Sequence, residues 1–187
     1  MTPPLKPRET YIKIATSKFA EFGYRGASLD AIAKEAGVTK QALLHFFGTK
    51  KKLYEAVLED HAADLSAHLE ATEAPSPQER LLLHAQFLTA SQGIRLIIRA
   101  LMDSQDTADH WPMKSYLDAL LSFLQMHAKV PRSSASHLSW INKLIGLIQY
   151  HIISLPAMIG MYGPDCAQSL EQEFEQTLRD EIDAILR

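Results

Sequence analysis

The sequence predicts an all-α protein of about nine helices, with an N-terminal three-helix, helix-turn-helix head and a larger C-terminal helical body. Three observations predict it. Apolar residues recur at steps of three and four along most of the 187 residues. No stretch alternates apolar and polar residues as a half-buried strand does. Glycine, proline and Ser/Thr caps cut the chain into segments of helical length.

Residues 1–7 hold three prolines and read as an extended arm. Lys6 and Arg8 either reach a DNA groove or backbone, as basic arms do, or lie in a solvated tail. The first helix spans Arg8 to Phe22, with Ile12, Ala15, Phe19 and Phe22 on one stripe, and Gly23 ends it. Ser28 is an N-cap for the second helix, and Asp30 in its first turn suits the helix dipole. Leu29, Ile32, Ala33 and Ala36 share its face. Gly37 can end it in a left-handed conformation, and only Val38 separates that turn from Thr39, the cap of a third helix over Lys40 to Phe46. Two short helices across a tight glycine turn make a helix-turn-helix, whose second helix enters the DNA major groove. Leu43 and Phe47 point to a three-helix core, which leaves Lys40, Gln41, Leu44 and His45 outward. Gln pairs with adenine and Lys with guanine acceptors, a Leu can touch a thymine methyl group, and His45 can meet a base or a phosphate.

Thr49 caps a fourth helix that starts at Lys50 and runs to about His68, joining head to body as a natural lever. Lys50, Lys51 and Lys52 crowd its first turn against the helix dipole, an arrangement that a docked phosphate relieves. His61 and His68 on this helix are expected at the surface. Residues 71–77 form a linker. Ser76-Pro77-Gln78-Glu79 reads as a capping box with proline at the first helical position. The fifth helix runs to about Ser91, with Leu81, Leu82, Ala85, Phe87 and Leu88 buried, and a short sixth segment covers Ile94 to Met102. Arg95, Arg99 and Asp103 lie one turn apart on it, followed by a polar loop over 104–111.

The seventh helix lies between Pro112 and Pro131, with Met113, Tyr116, Leu117, Leu120, Leu121 and Leu124 as its stripe. The eighth, about 135–155, is apolar on two faces: Ile141, Ile145, Ile148, Ile152 and Leu155 on one, Trp140, Leu144, Leu147 and His151 on the other. Pro156, Gly160, Gly163 and Pro164 break the chain after it. The last helix, 166–187, carries Leu170, Phe174, Leu178, Ile182 and Leu186 opposite a dense row of acids.

Charge is distributed unevenly. Residues 1–55 carry ten Lys/Arg against five acids, a net of +5, and residues 56–187 carry nine against seventeen, a net of -8. A basic head on an acidic body suits a protein that offers one end to a polyanion. The lone Cys166 excludes an internal disulfide and a cysteine-based metal site. No run of 18 uncharged apolar residues suggests a membrane span, and MTPPLKPRET lacks the apolar core of a signal peptide, so the cytoplasm is expected. Catalysis is not expected: there is no Gly-rich phosphate loop, nucleophile elbow or HExxH, the eight histidines are scattered, and neither metal nor cofactor is called for.

Ala15, Phe19, Gly23, Tyr24, Ser28, Ile32-Ala33, Ala36-Gly37-Val38-Thr39, Leu43, Phe47, Lys50 and Leu53 together resemble the DNA-binding domain of the TetR family of bacterial transcription regulators. Beyond these roughly 45 positions the likeness is one of helical layout. The chain departs from the family at Leu44, where Tyr is usual, at Phe46, often His or Tyr, and at Gln41, where small residues are common. The first two changes remove groups that hydrogen-bond phosphate, so other contacts must carry more of that anchoring.

The resemblance implies a DNA-binding domain over 7–55, touching DNA through Ser28, Thr39, Lys40, Gln41, Leu44, His45 and Lys50, and a ligand-binding and dimerisation domain over 56–187. A small-molecule pocket enclosed by helices five to eight would take its walls from His84, Phe87, Arg95, Arg99, Met102, Trp111, Tyr116 and His151, with Asp103 beside them. Each has a plain alternative: His151 as a core histidine, the Arg95–Arg99–Asp103 row as surface ion pairs, the apolar residues as core. A second copy of the chain is expected to pair helices eight and nine in a four-helix bundle through Ile141, Ile145, Ile148, Phe174, Leu178 and Ile182. The expectation is a homodimeric repressor released from a palindromic operator by a small-molecule effector. The alternative is a DNA-binding dimer whose body binds a protein partner and no small ligand.

Overall fold

In the computed structural model, described for residues 7–91, 93–103, 111–128 and 133–186, helices are the only regular elements. Among the described residues they number nine: α1 (Pro7–Gly26), α2 (Leu29–Glu35), α3 (Lys40–Phe47), α4 (Lys50–Ala71), α5 (Pro77–Ala90), α6 (Gly93–Asp103), α7 (Lys114–His127), α8 (Ser134–Tyr162) and α9 (Cys166–Leu186). The caps read from the sequence set their starts. Ser28, Thr39, Thr49 and Ser76 each accept a backbone N–H three residues on, at 3.1 to 3.4 Å. Ser133 does the same for α8. Lys6, residues 104–110, the Asp103 side chain, Val130 and Pro131 lie outside the described residues.

Two helix ends differ from expectation. α1 does not stop at Gly23 but kinks there, at φ 70° and ψ 176°, and adds a further turn. That conformation is open to glycine and almost closed to other residues. α8 does not stop at Pro156 but continues to Tyr162 and ends at Gly163, whose N–H reaches the Ile159 carbonyl. A proline inside a helix costs about 3 kcal/mol. Half-buried Leu155, Met158 and Ile159 continue the packing on either side of it and offset that cost.

The chain divides into two compact units, residues 1–64 with 92–114 and residues 65–91 with 115–187. In the first, α2 packs on α1 and α3, and α6 packs along α1. Ile12, Ala15, Phe19, Ile32, Leu43, Leu53, Val57, Ile94 and Leu96 are buried there. Phe22, expected on the inner stripe, is half exposed, because the kink at Gly23 ends the face it would have continued. The Arg99 guanidinium donates to the Ala20 carbonyl of α1 at 2.9 Å.

His61, expected at the surface, is half-buried, and its Nε2 is enclosed without a partner. Its ring fills the space where a side chain on Gly93 would stand: a Cβ there would lie 1.8 Å from His61 Cε1. Burial lowers the His61 pKa, so the ring stays neutral. Gly93→Ala is therefore expected to cost roughly 1–3 kcal/mol in urea unfolding by overpacking. His61→Ala in the same chain should recover part of that loss; an unchanged midpoint for Gly93→Ala alone would show that the contact yields freely.

In the second unit, α5, α8 and α9 pack on one another. Leu81, Leu82, Ala85, Leu88, Tyr116, Leu120, Leu124, Ile141, Leu144, Ile148, Leu178, Ile182, Ile185 and Leu186 are buried. Phe87, expected among them, is 38% exposed. α8 is long and apolar enough to cross a membrane by length and composition, with mean hydropathy 1.6 over 18 residues of which 11% are buried.

Candidate nucleic-acid interface

The α2–α3 connection is fixed by backbone chemistry. Gly37 takes φ 69°, its N–H bonds the Lys34 carbonyl at 3.2 Å, and the Val38 N–H bonds the Ala33 carbonyl at 2.9 Å. This pair of bonds is the Schellman stop, which needs a left-handed residue at its centre. Thr39 then starts α3 at once, with its hydroxyl accepting the Ala42 N–H at 3.1 Å. Leu43 anchors α3, 1% exposed, and Phe47 is half-buried. Lys40, Gln41 and His45 stand outward, Leu44 is half-buried beside them, and Ser28 and Thr39 are exposed at the two caps.

Three features of this surface were not legible in the sequence. Lys40 is not free: its ammonium lies 2.9 Å from Asp30 Oδ2 across the turn. Lys50 donates to the Arg25 carbonyl at 3.3 Å and sits 5.0 Å above the Tyr24 ring, so it caps the last turn of α1. Partial burial there lowers its pKa. Phe46, 52% exposed, meets the Tyr11 ring edge-on at 5.5 Å and joins it to Phe47 in an aromatic cluster on the outer side of the head. Each is a contact between residues far apart in the chain or on different elements, which periodicity does not encode.

In the second unit, three residues expected to line a pocket come together around one that was expected at the surface. His84 is buried, and its Nε2 lies 2.8 Å from the Tyr116 hydroxyl. Its Nδ1 lies 3.1 Å from Nδ1 of His68, whose ring stacks on Phe87 at 3.8 Å. Burial raises the Tyr116 pKa, so the phenol stays protonated. Its O–H has no other acceptor among the described residues and donates to His84 Nε2. His84 then carries its own proton on Nδ1 and donates to His68. Burial, with a smaller push from His68, lowers the His84 pKa to about 4. His151 is stacked on Phe174 at 3.8 Å with Nε2 3.2 Å from Glu171. Beside it, α5 and α9 bound an open groove of about 350 Å³ lined by Gln86, Thr89, Glu171, Phe174 and Glu175. Arg95, Arg99, Met102 and Trp111 belong to the first unit, where Arg99 is tied to α1 and Met102 is exposed.

Four of the six residues expected at a dimer interface, Ile141, Ile148, Leu178 and Ile182, are buried inside a single chain, and Ile145 and Phe174 are half-buried. Within one chain, these buried rows of α8 and α9 serve the core. The exposed row of α8 is Leu138, Asn142, Gly146, Tyr150, Ile153, Ala157 and Met161, spaced by fours and one three. Tyr150, Ile153 and Met161 are 68%, 57% and 66% exposed. Both apolar rows read from the sequence face inward or are half-buried, and the exposed row is a third one.

Residues 12–57 match the profile of the bacterial regulatory proteins of the tetR family. The chain is 26% identical over 181 residues to the HTH-type transcriptional regulator RutR of Escherichia coli K12, covering 94% of this chain and 82% of that one. It is 35% identical over 102 residues to the HTH-type transcriptional activator FasR of Mycolicibacterium smegmatis, about half of each chain. A transcriptional regulator from Rhodococcus sp. Rha1 has the same fold, with TM-score 0.71 at 19% identity over 96% of this chain and 95% of that one.

Proposed function

This chain belongs to the TetR family of bacterial helix-turn-helix transcriptional regulators, and on that premise we propose that it acts as a homodimeric repressor released from a palindromic operator by a small-molecule effector. It is a DNA-binding regulator, not an enzyme. The observation that carries the reading of its head is the Gly37 turn, which sets a fully capped α3 outward with Gln41 and His45 exposed at its surface. A recognition helix held by its caps and by Leu43 can present these side chains to base edges without ordering cost.

The exposed row of α8 supports pairing with a second copy, since its apolar side chains Leu138, Tyr150, Ile153 and Met161 gain from burial and an isologous contact closes after two copies. Two heads held about 34–36 Å apart reach successive major grooves. The cytoplasm, where operator DNA is found, is the expected compartment. Repression follows if the bound dimer covers a promoter; an activator among the relatives makes the sign a separate question, which a reporter gene beside the bound site answers. The cluster of His68, His84, Phe87 and Tyr116 supports the effector reading, because it places polar atoms and an aromatic face in the interior of the second unit. An effector that binds the DNA-incompetent state better shifts the population and lifts repression.

Gln41→Ala tests the reading of α3. It is expected to relax preference at one base position, at a cost of roughly 1–3 kcal/mol there, when the protein selects from random duplexes. An unchanged selected sequence would remove Gln41 from base recognition. Lys50→Ala is expected to weaken specific and random DNA about equally, because the residue it removes steadies the head and meets no base. A loss confined to the selected sequence would contradict that role.

A further inference from the structure

We propose that Asp30 is a selectivity residue of the head: by holding Lys40 across the α2–α3 turn, it withdraws the recognition helix's cation from phosphate and reserves it for a base. This rests on the reading of α3 as the DNA-contacting helix. Lys40 is the one Lys or Arg in α3 and stands at its first position, where the helix dipole disfavours a positive charge. Its ammonium lies 2.9 Å from Asp30 Oδ2, and the two side chains are 43% and 70% exposed. An ion pair so exposed contributes little to folding, and the helix dipole of α2 favours an acid at Asp30 whether or not Lys40 is there, so neither accounts for the pairing. The position of Asp30 gives a reason for it. Asp30 lies in the first turn of α2, the helix that crosses the DNA backbone when the next helix is in the groove.

On random DNA, Lys40 can only exchange one oxyanion for another. The exchange releases a counterion from the phosphate but leaves Asp30 unpaired beside a polyanion, and the two effects oppose each other. At a site that offers base-edge acceptors, the long Lys40 side chain swings into the groove while the remaining contacts hold the carboxylate clear of the backbone. Asp30 thus lowers binding to every sequence and lowers it least where Lys40 finds a base. The aspartate does not need to touch DNA to do this.

The test measures binding to a random-sequence duplex over a series of salt concentrations for wild type, Asp30→Asn, Lys40→Gln and the double variant. Asp30→Asn frees one cation. Its plot of log K against log salt should steepen by about 0.9, and its affinity should rise roughly five-fold near physiological salt. Lys40→Gln should change little in the wild-type background and undo the whole gain in the Asp30→Asn background. Asp30→Ser, which keeps a good residue for a helix start, repeats the measurement should the amide variant melt early. An unchanged slope for both Asp30 variants, or an equal loss from Lys40→Gln in both backgrounds, would overturn the proposal while leaving α3 as the DNA helix. Wild-type protein that binds no duplex at all would instead sink the reading on which the proposal rests.

Discussion

Tyr150→Asp combined with Ile153→Asp is expected to give a folded monomer that loses its grip on two-fold DNA. Both side chains are more than half exposed within one chain, so the charges cost its own core almost nothing. Across an isologous helix pair each aspartate would be buried near its own copy, and like charges out of water are strongly unfavourable. Sedimentation should show one chain per particle with a normal melting curve. Affinity for DNA with two half-sites should fall about 10²-fold or more, since the second contact loses its effective concentration, while a single half-site is bound as before. The same substitutions on α9 would not discriminate. Leu178 is 1% exposed, so Leu178→Asp would unfold the chain whether or not it pairs. An intact dimer for the Tyr150/Ile153 variant would place the interface off this row of α8.

The second large effect is a loss of stability in mild acid. His84 is held neutral, with a pKa of about 4 against 6.5 for an ordinary histidine. Between those values the unfolded chain binds a proton that the folded chain refuses, so protons favour unfolding. The neutral ring's contribution is complete above pH 6.5 and is lost as pH falls towards 4, where the slope levels off. The shift corresponds to about 3 kcal/mol. His61, lowered by burial as well, adds in the same direction. Urea midpoints of the wild type should therefore fall steeply from pH 6.5 to 4. Tyr116→Phe should lower the unfolding free energy at every pH by roughly 1–3 kcal/mol, because His84 Nε2 loses its donor in a buried place. A flat profile over that range would mean that water or a rearrangement satisfies the charged ring.

Local physics made much of this legible in the sequence. The caps at Ser28, Thr39, Thr49 and Ser76 are decided within three residues, and each stands where it was expected. Gly37 was readable for the same reason. The helical layout followed from periodicity, which also gave the stripe of α7. What depends on partners distant in the chain was not readable. His68 looked like a surface residue until His84, sixteen positions on, supplied its hydrogen bond. Lys40 looked like a free base reader until Asp30 was found beside it. α6 looked like part of the body, but it packs along α1. Pro156 and Gly160 looked like breaks, yet the apolar surface on both sides carries α8 through them.

Selection from a random duplex pool by the purified wild-type protein, followed by sequencing of what it holds, tests the central claim most directly. The account predicts one enriched sequence with two-fold symmetry, its half-sites about 10 bp or a multiple of that apart. It further predicts that at least one position in each half relaxes with Gln41→Ala. Enrichment of no sequence, or of an unpaired, asymmetric one bound by a dimer, would contradict a pair of α3 helices reading an operator.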